Sequence, residues 1–207
     1  RLADFFQQAP EVKDTGGWET VQQNCEENFE QMKPFVQDFI TPTRFDYIQA
    51  ATRGFLEARR ALFRKRVENG DIREGHGDLR LEHIYFTPEG IQIIDCIEFN
   101  KRMRCGDVAA DIAFLMMDLD NNDFPWAAEE FLHHFMVLHK DLQLFALLDF
   151  YLCYRACVRL KVTCFRLGQK DLEKSLRNRL LDRVQKFTLL AHGYAKRFAR
   201  PTLYIFM

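Results

Sequence analysis

The 207-residue sequence has no hydrophobic run long enough to span a bilayer, no C-x-x-C pair, no internal repeat and no low-complexity tract. Each absence excludes something. The longest apolar stretches, such as Leu142 to Tyr154, are broken by Asp149, well short of the roughly 20 apolar residues that a spanning helix needs. No membrane protein is therefore predicted, and nothing at the start reads as a signal peptide. The six cysteines, Cys25, Cys96, Cys105, Cys153, Cys157 and Cys164, mostly sit in apolar surroundings, where a reduced thiol acts as a small hydrophobe. Cys153 and Cys157 share a helix face, but no neighbouring His completes a zinc set, so core packing is the reading. A reducing, cytoplasmic compartment follows. Charge of one sign is also lacking. A net charge of -1 offers no field to attract nucleic acid or an anionic membrane as the main partner.

What is present suits a globular core. Hydrophobic residues make up 47% of the chain, with 20 Phe among them, against 29% charged, which places it with soluble globular proteins rather than disordered or fibrous ones. The length fits one domain or one large lobe of a bigger enzyme.

Periodicity predicts a mostly helical chain. Residues 1–8 read as a helix end and 9–17 as a loop punctuated by Pro10 and the Gly16-Gly17 pair. Apolar Val21, Phe29, Met32, Phe35, Val36 and Phe39 recur at three- and four-residue steps and predict a helix from Glu19 to about Phe39, kinked at Pro34. Thr41-Pro42-Thr43 caps a long helix from Arg44 to about Glu68 that closes at Asn69-Gly70. The character then changes: Ile84-Tyr85-Phe86 and Ile91-Gln92-Ile93-Ile94, separated by Thr87-Pro88-Glu89-Gly90, predict a β-hairpin. After an irregular stretch from Glu98 to Gly106, Asp107 caps an apolar helix from Val108 to about Leu119. Further helices are predicted over 125–138, 142–167 and 170–199, ended by Gly168 and Pro201.

Chemistry concentrates around the hairpin. The segment Glu74-Gly75-His76-Gly77-Asp78-Leu79-Arg80-Leu81-Glu82-His83 places a carboxylate, Asp78, in a loop, and seventeen residues later Asp95 follows the apolar strand. That interval holds a loop, a strand, a turn and a return strand, so both carboxylates arrive at one end of the hairpin. Phosphoryl transfer needs such a pair: one carboxylate to orient the attacking hydroxyl and take its proton, another to hold Mg²⁺ across the nucleotide phosphates.

These residues resemble the catalytic loop of kinase-like enzymes, in which H-x-D-L is followed by a metal-binding residue five positions after the Asp. H-G-D in place of H-R-D, Ile94-Asp95-Cys96-Ile97-Glu98-Phe99, and the run Gly106-Asp107-Val108-Ala109-Ala110-Asp111-Ile112-Ala113-Phe114-Leu115 are similar to the aminoglycoside phosphotransferase and choline kinase branch. The phrases "IIDCIEFN" and "GDVAADIAFL" are similar to bacterial two-part proteins in which this domain precedes a P-loop ATPase domain. The resemblance implies a mainly α fold with a small β-hairpin, the C-terminal lobe of a protein-kinase-like fold. Residues 1–200 would form it, with the catalytic loop at 74–83 and the hairpin at 84–95, and 201–207 would open a following segment.

The resemblance further implies ATP and Mg²⁺ as cofactors and a small molecule bearing a hydroxyl as substrate. Asp78 is then the catalytic base. His76 accompanies it, holding the loop by hydrogen bonds. Asp95 and His83 occupy the metal positions, and Asp107 and Asp111 brace the loop. His83 stands where the family has Asn. Imidazole prefers softer metals than Mg²⁺, so His83 ligates, contacts phosphate or simply packs. From the residues alone, Asp107 has a plain reading as a helix cap and Asp111 as a first-turn dipole partner.

Other patterns weigh less. Asp118, Asp120, Asn122 and Glu129 fall at positions of a calcium loop, but its glycine position holds Asp123 and Pro125 intrudes; an acidic helix end is the reading. His133, His134, His139 and His192 lack ligand-spaced partners and read as surface or packing residues. Arg155, Arg159, Lys161 and Arg166 read as a solvated helix face, with Arg155 or Arg159 reaching an acidic substrate or the Asp-rich loop as the alternative.

No G-x-G-x-x-G, no V-A-I-K-like segment and no G-x-x-x-x-G-K-[ST] occurs. The nucleotide-gripping N-lobe and any P-loop ATPase are therefore expected in other parts of a longer protein, of which this chain is a piece. Two functions follow. One is part of an ATP-dependent phosphotransferase acting on a small hydroxyl compound; the other is a degenerate kinase-like binding or regulatory module.

Overall fold

A computed structural model describes residues 1–200; the expected following segment at 201–207 lies outside the described residues. The chain is mainly α, as predicted, with nine helices among the described residues: α1 (Leu2–Gln8), α2 (Trp18–Met32), α3 (Pro42–Ala58), α4 (Arg60–Glu68), α5 (Lys101–Arg104), α6 (Val108–Asn121), α7 (Pro125–His139), α8 (Phe145–Leu167) and α9 (Lys174–Phe198). Four short strands, β1 (Ile72–Glu74), β2 (Ile84–Thr87), β3 (Gly90–Ile93) and β4 (Cys105–Asp107), form two antiparallel ribbons.

Two helices organise the core. Every residue of α6 from Val108 to Asp118 is buried, so this helix has no solvent face and runs through the centre. Its sequence, apolar all round, dictates that position. Beside it lies α8, whose faces pack on α6, α9 and α2. Phe150 of α8 stacks on Phe55 of α3, with ring centroids 4.9 Å apart and planes 14° from parallel, and meets Phe63 of α4 edge-on at 5.7 Å. Burial of each such ring stabilises the fold by about 1.5–3 kcal/mol.

Four element boundaries differ from the sequence reading. The helix expected to reach Phe39 stops at Met32 and passes into one 3₁₀ turn, Lys33–Phe35, because Pro34 has no N–H and its ring clashes with the carbonyl four residues back. The long helix over 44–68 is divided at Arg59, whose backbone leaves the helical region at φ −115° and ψ 14°. The last helix opens at Lys174 rather than Lys170, behind Asp171 in a left-handed conformation at φ 63°. The stretch 98–106 is not irregular throughout: it contains α5 and most of β4.

The predicted hairpin is present, with Thr87 opposite Gly90 and Ile84 opposite Ile93. Pro88 presets the turn and Gly90 takes φ 115° to close it. The second ribbon, β1 with β4, pairs Ile72 with Asp107 and Glu74 with Cys105. It lies at the mouth of the core and hands the chain straight into the loop 75–83 on one side and into α6 on the other.

Among the described residues no helix is long and apolar enough to cross a membrane. All six cysteines are unbridged and five are buried.

Candidate functional site

The loop after β1 hangs from α6. Asp107, at the end of β4, caps the helix by accepting from the Ala109 N–H at 2.9 Å. Its carboxylate also receives the fork of Arg66, at 2.9 and 2.7 Å. One turn on, Asp111 accepts the backbone N–H of His76 at 2.7 Å and of Gly77 at 3.0 Å. Such a close approach demands glycine nearby. A Cβ on Gly75 would lie 2.5 Å from Asp111 Oδ2, and Gly77, at φ 80°, would place one 2.8 Å from the Met103 carbonyl. Two turns further, Asp118 Oδ2 accepts from the Leu81 N–H at 3.0 Å.

Arg155 secures the same loop from α8. It is buried, and donates to the Ala110 carbonyl at 2.9 Å, the Gly77 carbonyl at 3.0 Å and Asp111 Oδ1 at 3.3 Å. The solvated-face reading of Arg155 is thus corrected: helical periodicity alone does not tell which side of α8 meets the loop, and the core side carries this cation. Arg159, one turn later, is half-buried; burial and the neighbouring Arg80 pull its pKa below the ordinary arginine range, and its Nε has no hydrogen-bond partner among the described residues.

Both nitrogens of His76 are committed to the backbone. Nε2 lies 2.9 Å from the Ile94 carbonyl and so carries the proton, which leaves Nδ1 to accept from the Asp78 N–H at 3.3 Å. The Ile97 N–H donates to the His76 carbonyl at 3.0 Å. Through these bonds one residue ties the loop to the far end of the hairpin. His83 lies nearly parallel to His76, the rings 5.8 Å apart. Its Nδ1–H donates to the Asp78 carbonyl at 2.8 Å, and its Nε2 faces Arg80 at 3.2 Å. Since arginine can only donate, Nε2 is the acceptor there.

Asp78 and Asp95 meet around His83. The Asp78 carboxylate, 26% exposed, accepts two bonds from the Arg80 fork at 2.9 and 2.7 Å. Burial pushes its carboxyl up, but the hydrogen bonds and charge of Arg80, helped by His83 and Arg159, outweigh that and hold it below the usual carboxylate range. Arg80 also contacts Glu82. Asp95, on the turn that leaves β3, adopts φ 63°, a left-handed conformation that Asp tolerates better than most residues. Its side chain is 76% exposed and its Oδ2 stands 3.4 Å from His83 Nε2.

Donor chemistry decides what these groups could hold. Asp95 offers a hard, solvent-facing carboxylate of the kind that holds Mg²⁺ together with phosphate oxygens and water. His83 offers no oxygen, and its Nε2 already receives Arg80. Among the described residues no three His, Cys, Asp or Glu side chains gather as a metal cluster, so a Mg²⁺ there would take most of its shell from water or phosphate oxygens. The calcium-like positions are used otherwise: Asp118 holds Leu81, and Asp120 accepts from the Tyr194 hydroxyl at 2.5 Å.

Sequence reasoning missed Arg66 and Arg80. Arg80 lay inside the quoted motif, two residues from Asp78, and a basic residue at that distance was the available signal. Arg66 had none, because its partners Asp107 and Asp141 are 41 and 75 residues away.

No protein-family model matches the chain. It is 31% identical over 171 residues to uncharacterized proteins of Mycobacterium tuberculosis and Mycobacterium bovis, a match that covers 81% of this chain and 34% of theirs. The chain thus spans about a third of the length of the curated relatives it matches. Among solved structures, an ethanolamine kinase of Plasmodium vivax superposes with a TM-score of 0.49 at 17% identity, over 87% of this chain and 51% of that one.

Proposed function

We propose that the loop 74–83 and the turn at Asp95 form the acceptor half of a kinase-like phosphotransfer site, acting on a hydroxyl of a small molecule. The observation that carries this reading is the double suspension of the loop, from Asp111 on α6 and from His76 to the Ile94 carbonyl, which sets Asp78 and Asp95 on either side of His83. Asp78 orients the attacking hydroxyl. In the step, that oxygen bonds to the terminal phosphorus of a nucleotide, the bond from phosphorus to the leaving diphosphate breaks, and the hydroxyl proton passes to the Asp78 carboxylate. A base weakened by Arg80 remains serviceable, since a loose transition state asks for positioning more than for basicity. Each Asp78 oxygen keeps a lone pair beyond the one that Arg80 uses.

Asp95 would hold Mg²⁺, which supplies charge neutralisation on the phosphates. His83 keeps the two acids apart and aligned. The exposed apolar side chains on and after the hairpin, Tyr85, Phe86, Ile94 and Phe99, with Phe86 and Phe99 both 85% exposed, support a further lobe of the complete protein covering this end and gripping the nucleotide. In the full-length protein, Asp78→Ala is expected to lower phosphate transfer to its hydroxyl substrate by about 10²–10⁴, read by single-turnover kinetics. Undiminished transfer would sink the assignment.

One observation favours a second reading, a binding module without catalysis: Arg80 grips both oxygens of Asp78 and faces His83. Calorimetry of the full-length protein with ATP, with and without Mg²⁺, separates the two. Metal-dependent binding lost on Asp95→Ala supports the phosphotransfer reading, and metal-independent binding supports the module.

A further inference from the structure

Behind Asp78 lies a cavity of about 250 Å³ between α2, α8 and the α5–β4 segment, with Gly77 and Asp78 in its wall. It is smaller than the roughly 300–1,000 Å³ of drug-sized pockets and suits a molecule of monosaccharide size or less. Its polar lining is unbalanced. Three carboxylates border it, and each already faces an arginine: Glu27 takes the Arg102 fork at 2.7 and 2.6 Å, Asp78 that of Arg80, Asp107 that of Arg66. No acid is left over to receive a cation.

Donors, by contrast, are in surplus. Lys161 reaches only a neutral group, the Asn28 Oδ1 at 2.6 Å. Because lysine can only donate, this bond fixes the orientation of the amide. Asn28 is 3% exposed, and its Nδ2 has no acceptor among the described residues. The hydroxyl of Tyr151, 2% exposed in the same wall, has no partner there either. Burial depresses the Lys161 pKa against the pull of Glu27, with the charge of Arg102 adding to the fall, the response of a cation taken out of water. Two orphaned polar groups in one small cavity, beside an underpaired lysine, mark the outline of an oxygen-rich ligand. Phe114, Tyr151 and Tyr154 supply flat walls for its carbon skeleton.

We propose that this cavity is the acceptor subsite and that its ligand is a small polyhydroxylated carboxylic acid, its carboxylate at Lys161 and Asn28 and one hydroxyl toward Asp78. The assignment of the hydroxyl rests on the phosphotransfer reading above; the assignment of the ligand class rests on the cavity alone.

The test is calorimetric titration of the full-length protein with gluconate, glucose and choline as probes of the acid, neutral and cationic classes. Gluconate is expected to bind best and to weaken about tenfold or more on Lys161→Met and on Asn28→Leu, while the control His134→Ala, on the exposed face of α7, changes it by no more than about threefold. Lys161 is half-buried, so Lys161→Met gives a reading even if Asn28→Leu unfolds the chain. Stronger binding of choline, binding indifferent to Lys161→Met, or no binding of either oxygen-rich probe overturns the proposal. Gluconate binding with the expected variant pattern but without phosphate transfer upholds the subsite and sinks the phosphotransfer reading. Transfer to an alcohol that needs neither Lys161 nor Asn28 does the opposite.

Discussion

Two arginines of this protein grip aspartates with both arms, and they do so for different ends. Arg66 is wholly buried and is shared among Asp107, Asp141 and Asp71, the last at 2.9 Å without a hydrogen bond. Arg80 is buried as well, but its partners Asp78 and Glu82 remain open to water. A buried cation with three buried or half-buried acids cannot let go without stranding charge in the core; one whose acids reach water can. The first arrangement fixes where α4, β4 and the start of α6 meet. The second leaves its carboxylates within reach of water.

The most severe break in this contrast is Arg66→Met. It leaves Asp107 buried and unpaired and is expected to cost about 3–5 kcal/mol, measured as a fall in the urea midpoint. A loss within that of a surface substitution would show that the node is not structural.

Acid titration distinguishes the two sites by sign. At the Arg66 node, burial raises Asp71 from 3.8 to about 6 against the pull of Arg66, with Asp141 and Asp107 adding to the rise. The folded state therefore holds an extra proton between these values, and stability declines by about 1–3 kcal/mol as pH climbs through that window. Asp71→Asn should flatten the decline in urea melts taken at stepped pH. Asp78 is depressed instead. Its contribution is in place above the unfolded value of about 3.9 and is lost as pH falls through the lower folded one.

Arg80→Gln is expected to cost about 1–3 kcal/mol, less than Arg66→Met, since Arg80 is buried but water can reach the carboxylate it leaves. Its larger effect is on titration: the Asp78 pKa should rise, and the acidic limb of a pH–rate profile should move to higher pH with it. An unmoved limb would show that Arg80 does not set the charge of Asp78. At the far end of the scale, His134→Ala removes an exposed contact to Glu130 on α7 and should change stability by no more than about 0.5 kcal/mol.

How much of this was legible in the sequence follows the range of each interaction. The cap at Asp107 and the turn Thr87–Gly90 are decided within a few residues, and local pattern found them. The proline stop after Met32 was visible but its force underrated: Pro34 ended the helix where a kink was expected. The β1–β4 ribbon, three residues a side and some thirty apart, has no period to detect. The same holds for Arg66, whose position on α4 looks like any helix surface until Asp107 and Asp141 arrive. The site divides likewise: Asp78 and Asp95 were placed together by counting residues along a hairpin and His83 by the resemblance to the kinase-like loop, whereas the cavity behind Asp78 needs α2 and α8, which meet only in three dimensions.

The helix α6 holds the loop at two points, Asp111 and Asp118, seven residues apart. Seven residues are almost two full turns, so both side chains leave the same face of the rod about 10.5 Å apart. The helix is therefore a ruler with two pegs, and the loop is strung between them. A single residue inserted into α6 between the pegs would rotate one against the other by about 100°. Every side chain of the loop could remain in the sequence, and the loop would still lose its gauge.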